Sequence, residues 1–171
     1  FTPDKLTLVV PPWNFTVAIP IGGVLAALAA GSTVILKPAP EVRNCGVAVA
    51  NALYKAGISK SVLQVVAVPD NEVGLYLVGH QSVDSVVLTG GFETAELFKR
   101  HKPSIRLAAE TSGKNAIVVT PFADLDLAAA DLAKSAFGHA GQKCSAASLA
   151  ILVGPVYKSE KFRRQLVDAA K

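Results

Sequence analysis

The side chain with the most chemistry to offer is the thiol of Cys144, within "GHAGQKCSAASL" at residues 138–149. It stands between Lys143 and Ser145, just after a glycine-rich, turn-prone stretch. Two readings compete for it. Free cysteine is a compact hydrophobe and is often buried. As a thiolate it is a nucleophile, provided its surroundings draw the thiol below its ordinary pKa of about 8.5, as a neighbouring lysine can. His139 lies five residues upstream, and a Cys–His pair would need one particular loop geometry. The three histidines show no paired spacing, so no metal site is expected. Other polar or glycine positions stand at the ends of apolar runs: Asn14 in "PPWN", Lys37 in "KPAP", Gly90 and Gly91 in "TGGFE", Glu110 and Thr111 in "ETSGK". Taken alone, Asn14 reads as a turn residue and Glu110 as a strand-end surface charge.

The elements that must position these residues alternate regularly. "LTLVV" (6–10), "TVILK" (33–37), "VLQVVAV" (62–68), "SVVLT" (85–89) and "IRLAAE" (105–110) are short and apolar. Each is expected to be a strand buried on both faces. Helices are expected near 17–30, 43–56, 71–79 and 92–101, with Gly31 and Gly57 ending the first two. This alternation predicts βαβ units and an α/β fold, a Rossmann-like parallel sheet with helices on both faces. The rhythm continues with a strand over 115–120, a helix over 124–138, a strand over 148–154 and the amphipathic "KSEKFRRQLVDAAK". In such sheets ligands bind beyond the carboxyl ends of the strands, near a topological switch point, which is where the polar segments fall. No G-x-G-x-x-G follows the first strand, so the standard dinucleotide fingerprint is absent.

Composition narrows the class. A chain of 171 residues, 51% apolar and only 6% aromatic, can bury a real core, and its many small residues suit helices packed closely on a sheet. The net charge of +4 is scattered, and the clusters "KRHK" and "KSEKFRR" carry no interleaved stacking platform. Nucleic acid is therefore not an expected partner. The run "VAIPIGGVLAALAAG", broken by Pro20 and a glycine pair, falls short of the roughly 18 residues of a membrane span. It reads as a buried helix. The opening "FTPDK" has neither a basic n-region nor a cleavage site, so no secretory signal is expected. Cys45 and Cys144 lie too far apart in sequence to suggest a disulfide framework, which favours a reducing cytoplasm. Cys45, on an apolar helix, is expected in the core.

Five segments together resemble the aldehyde dehydrogenase superfamily. "PPWNF" resembles its P-W-N motif, and "ALAAGSTVILKPA" its A-L-A-A-G-N-x-V-x-x-K-P stretch. "LTGGFETA" resembles F-T-G-S-x-E, "ETSGKNAIVV" resembles E-L-G-G-K, and "GQKCSA" resembles G-Q-x-C. They occur in the family's order, and Glu110 precedes Cys144 by 34 positions, the separation typical of the family. The resemblance implies that Cys144 attacks an aldehyde to give a thiohemiacetal. Asn14 and the Cys144 N–H would hold its oxyanion, hydride would pass to a nicotinamide, and Glu110 would activate water against the thioester.

For the cofactor, the resemblance assigns Lys37 to the adenosine ribose and Trp13 to the same cleft. Gly90, Gly91 and Thr111 are assigned to the cofactor as well, with the pyrophosphate at a helix N-terminus. The chain departs from the common pattern where Gly91 replaces Ser and Pro40 replaces Glu, unless Glu41 substitutes. NAD is expected, with NADP open. Lys143 and Ser145 beside the thiol resemble the glutamate-semialdehyde (1-pyrroline-5-carboxylate) dehydrogenases of proline catabolism, where these positions help hold the substrate carboxylate. The longer runs look most like bacterial enzymes in which this domain is often fused to proline dehydrogenase. The resemblance further implies a piece of a longer, homo-oligomeric enzyme. Residues 1–110 would form an incomplete dinucleotide-binding domain, and 111–171 the start of the catalytic domain. The alternatives are a dinucleotide-binding module without turnover, a dehydrogenase for another aldehyde, or an acyl-transferring relative, against which Glu110 argues.

Overall fold

A computed structural model describes residues 2–171. Its two compact units meet in sequence at Ser112 and Gly113. In the first unit, β1 (Leu6–Val10) is the central strand. Its side chains alternate between faces, and Leu8, Val9 and Val10 are all buried, so it needs cover on both sides. β1 pairs in parallel with β2 (Thr33–Leu36) and β4 (Ser85–Thr89). Beyond them lie β3 (Leu63–Val65) and β5 (Arg106–Glu110), giving the order β3-β2-β1-β4-β5 with every pair parallel. The expected Rossmann-like sheet is therefore present, and its order reverses between β1 and β4.

Parallel strands require crossovers, supplied by α1 (Ala18–Ala29), α2 (Arg43–Lys55), α3 (Glu72–Gly79) and α4 (Phe92–His101). On one face Val24 and Ala50 pack with Val9, Val34, Leu36 and Leu63. On the other, Val78 and Phe98 pack with Leu8, Val86, Leu88 and Ile105. Gly31 (φ 88°) and Gly57 (φ 101°) end the first two helices, as the sequence predicts. Their left-handed backbone costs glycine nothing in sterics.

Four expectations need correction. β3 stops at Val65, although Val66 N–H still donates to Leu36 C=O at 2.9 Å, so the apolar run through Val68 is partly loop. β5 is mostly exposed, lying at one edge of the sheet. α1 buries only Pro20 and Val24: a helix laid on a sheet needs one covered face, and Ala18, Gly22, Leu25, Ala26 and Ala29 are left exposed on the other. Cys45 likewise proves half-buried on α2, whose buried residues are Gly46, Val49 and Ala50.

The second unit, Gly113–Lys171, contains β6 (Asn115–Val119), α5 (Leu125–Phe137), β7 (Ala147–Leu152) and α6 (Glu160–Ala169). β6 and β7 pair in parallel, with α5 as their crossover. Val119, Ala129, Leu132, Ala147, Val156 and Phe162 form the core. Asp124 starts α5 by accepting the Asp126 and Leu127 amides at 3.0 and 3.1 Å, and Ser159 starts α6 by accepting that of Phe162 at 3.2 Å. Among the described residues, no helix is long and apolar enough to cross a membrane.

Candidate functional site

At the carboxyl ends of the first unit's strands lies a cleft of about 330 Å³, lined among others by Trp13, Lys37, Glu41, Asp70, Gly90 and Gly91. It sits where the sheet order reverses, as the switch-point rule requires. Lys37 follows β2, and its backbone N–H donates to Val9 C=O at 2.9 Å. Its side chain is only 4% exposed, and its Nζ donates to Asp70 Oδ1 in an ion pair. Asp70 is 66% exposed, on the loop between β3 and α3. That loop is tight. Asn71 caps α3 by accepting the Val73 amide at 2.9 Å, and a Cβ at Gly74 would lie 2.8 Å from Pro69 C=O and 3.4 Å from Lys37 Cε. Only glycine lets α3 approach the Pro69 carbonyl so closely, with the Lys37 stem in contact beside it.

Asp70 was not among the residues suggested by sequence. The signal existed, since "PDN" follows the third apolar run just as the other polar segments follow theirs. Reading that run as strand through Val68 hid it.

The remaining first-unit candidates lie close to strand ends. Asn14 is half-buried and Trp13 exposed just after β1. Gly91 precedes α4 as its N-cap, and Gly90 N–H donates to Glu110 C=O at 3.0 Å. The Phe92 amide at the start of α4 donates to Ser112 Oγ at 3.2 Å. Glu110 ends β5 opposite Thr89 and is exposed, while the half-buried Thr111 is outside the cleft lining.

In the second unit, Cys144 is exposed between α5 and β7, which removes the reading of a buried hydrophobe. Three consecutive residues before it, His139, Ala140 and Gly141, take φ values of 56°, 54° and 72°. For the two that are not glycine this costs roughly 1–2 kcal/mol each, strain of a kind that collects at functional sites. Lys143 is half-buried with its ammonium turned back towards Gly138, and Ser145 is exposed. Asn115 Nδ2, at the start of β6, donates to the carbonyls of Cys144 at 2.5 Å and Ala146 at 3.1 Å. The pairing there skips Ser148, with Asn115 opposite Ala147 and Ala116 opposite Leu149, so the amide side chain holds the loop where the ladder is interrupted. Sequence reasoning treated Asn115 only as a strand residue. No group of three or more His, Cys, Asp or Glu able to hold a metal occurs among the described residues.

A doubly wound parallel sheet with a cleft at its switch point is the architecture of the Rossmann-like α/β class. The comparisons with known proteins narrow this further. The model of the "Aldehyde dehydrogenase family" matches residues 3–171, and the chain belongs to that family. It is 39% identical over 165 residues to 1-pyrroline-5-carboxylate dehydrogenase 2 of Bacillus subtilis, which covers 92% of this chain and 32% of that protein. It is 41% identical over 179 residues to the 1-pyrroline-5-carboxylate dehydrogenase of Geobacillus thermodenitrificans, covering 100% of this chain and 34% of that one. Among solved structures, Proline Utilization A from Corynebacterium freiburgense superposes with a TM-score of 0.93 at 58% identity, covering 99% of this chain and 17% of that chain. The chain thus spans about a third of the curated relatives it matches.

Proposed function

We propose that this chain carries the cofactor cleft and the nucleophile of an NAD-dependent aldehyde dehydrogenase. Its substrate is L-glutamate 5-semialdehyde, oxidised to glutamate in proline catabolism. The observation that carries the reading is the exposed Cys144 on a held, strained loop, in a chain of this family. The relatives' names support the substrate.

The cleft fits the cofactor. It offers a buried, carboxylate-paired cation, an exposed indole and a glycine pair preceding a helix. Lys37 and Trp13 would hold the adenosine end, and Gly90, Gly91 and Thr111 the remainder. In the proposed reaction Cys144 Sγ adds to the aldehyde carbon. The Asn14 amide and the Cys144 backbone N–H donate to the resulting oxyanion, and loss of one such donor typically costs about 10²–10³ in rate. When bound, NAD supplies the acceptor for the hydride whose loss turns the adduct into a thioester. Glu110 then takes a proton from the water that attacks the thioester carbon, releasing the acid and restoring the thiol. Lys143 and Ser145 hold the substrate's own carboxylate. The whole enzyme is read as a cytoplasmic homo-oligomer, a setting that suits two free cysteines.

The test is alkylation of the folded chain by iodoacetamide, following Cys144 and Cys45 separately by peptide mass, with and without NAD. Much faster reaction at Cys144, altered by NAD, is the expected result. A Cys144 no faster than Cys45, and indifferent to NAD, would overturn the reading for this chain. Because the chain spans only about a third of its relatives, we expect it alone to show little or no turnover, acting at most as a dinucleotide-binding module. Steady NADH production from it with glutamate semialdehyde would contradict that.

A further inference from the structure

We propose that Asp70 makes the cleft select NAD over NADP; the inference rests on reading the cleft as a dinucleotide site. Three charged side chains line it: Lys37, Glu41 and Asp70. Its one cation is already paired, since Lys37 Nζ donates to Asp70 Oδ1. The two partners differ sharply in exposure. Lys37 is sunk into the wall at 4% exposure, whereas Asp70 faces outward at 66%. An arriving ligand therefore meets carboxylates first.

That order of encounter discriminates between the two cofactors. A ribose diol donates hydrogen bonds, and a carboxylate oxygen left over from the ion pair can accept one. A 2′-phosphate has no such donor to spare. It brings a further charge of about −1.5 to −2, taking the phosphate-monoester value, into a lining whose formal charge is already negative. Position 40 cannot supply the acidic group instead, because it is proline and does not line the cleft. Glu41 lines the cleft and is exposed, but no hydrogen bond ties it to Lys37. Asp70 is the carboxylate coupled to the cation, so its removal would leave Lys37 facing the cleft as a free positive charge. Such a site attracts phosphate.

The chain carries its own reporter, because Trp13 is its single tryptophan, lines the cleft and is 46% exposed. Quenching of Trp13 fluorescence would be titrated with NAD and with NADP on the whole chain, on Asp70→Asn and on Glu41→Gln. We expect NAD to bind about tenfold or more tightly, the scale of one charge felt at short range in a partly screened site. Asp70→Asn should strengthen NADP binding and shrink the ratio by about tenfold, with Glu41→Gln shifting it less. Equal binding of the two cofactors by the unaltered chain would overturn the proposal. So would a ratio unchanged in Asp70→Asn, or one moved as far by Glu41→Gln. Quenching by neither dinucleotide would overturn the reading of the cleft itself, and this inference with it.

Discussion

The two units solve the same packing problem to different extents. In the first, β1, β2 and β4 are covered on both faces by helices, and the cleft is cut into the rim of a closed core. In the second, two strands share one covered face. Ile117, Val119 and Leu152 belong to the core beneath α5 and α6, while Val118, Leu149 and Ile151 on the opposite face are exposed. A two-stranded sheet is marginal by itself, whereas a five-stranded one with two layers of helix is a complete core. The cleft therefore lies on the fully covered unit. Cys144 lies on the lightly built one, where a side-chain amide and a turn of left-handed residues hold its loop.

Hydrogen exchange tests this contrast with the largest expected effect. Amides of β6 and β7 should exchange at least about 100-fold faster than those of β1, β2 and β4, the kind of spread local stability produces. Equal protection would break the comparison. Core truncation sharpens it. Leu8→Ala should cost about 2–5 kcal/mol and Phe162→Ala about 3–5, both side chains being fully buried. Trp13 reports the first unit, so denaturant unfolding read by its fluorescence should shift in Leu8→Ala and stay put in Phe162→Ala. A shift in both would mean that the units unfold as one.

A smaller effect is expected at Asn115. Asn115→Ala removes two hydrogen bonds worth about 0.5–1.5 kcal/mol each. It should change the alkylation rate of Cys144 while leaving that of Cys45 unaltered, as peptide mass would show.

The smallest effect is the response to acid. The Leu6 backbone N–H, followed by that of Lys5 and nearby positive charges, holds the half-buried Asp84 carboxyl below its ordinary range against some desolvation. The Gln165 side-chain amide, followed by Lys161, does the same for Asp126. A depressed folded-state pKa means stability that is present above the unfolded value of about 3.9 and lost as pH falls through the folded one. Each unit thus has one carboxylate that loosens it in acid. Asp84→Asn should flatten the acid limb of the Trp13-monitored transition, whereas Asp126→Asn should not.

Much of this architecture was legible beforehand because it is written in local periodicity. Apolar runs placed β1, β2, β4 and β6 to within a residue, and Gly31 and Gly57 marked the ends of α1 and α2. The errors were of one kind. Hydropathy shows that α1 and β5 are apolar, but cannot show that α1 is covered on one face only or that β5 lies at a sheet edge. Burial depends on neighbours distant in the chain. The loop after β3 was misread for the same reason: Ala67 and Val68 are apolar enough for a strand, yet leave the ladder to bring Asp70 to Lys37.

The sequence by itself determined the kinds of element, their order and the short polar segments at the strand ends, since each depends on residues within a turn or two of one another. Only the tertiary structure decided which of those segments share a cleft, that Asp70 neutralises Lys37 across 33 positions, and that Asn115 holds the Cys144 backbone across 29. Such pairings follow from strand order and register, which bring distant residues within hydrogen-bonding reach and leave no periodic trace in the chain.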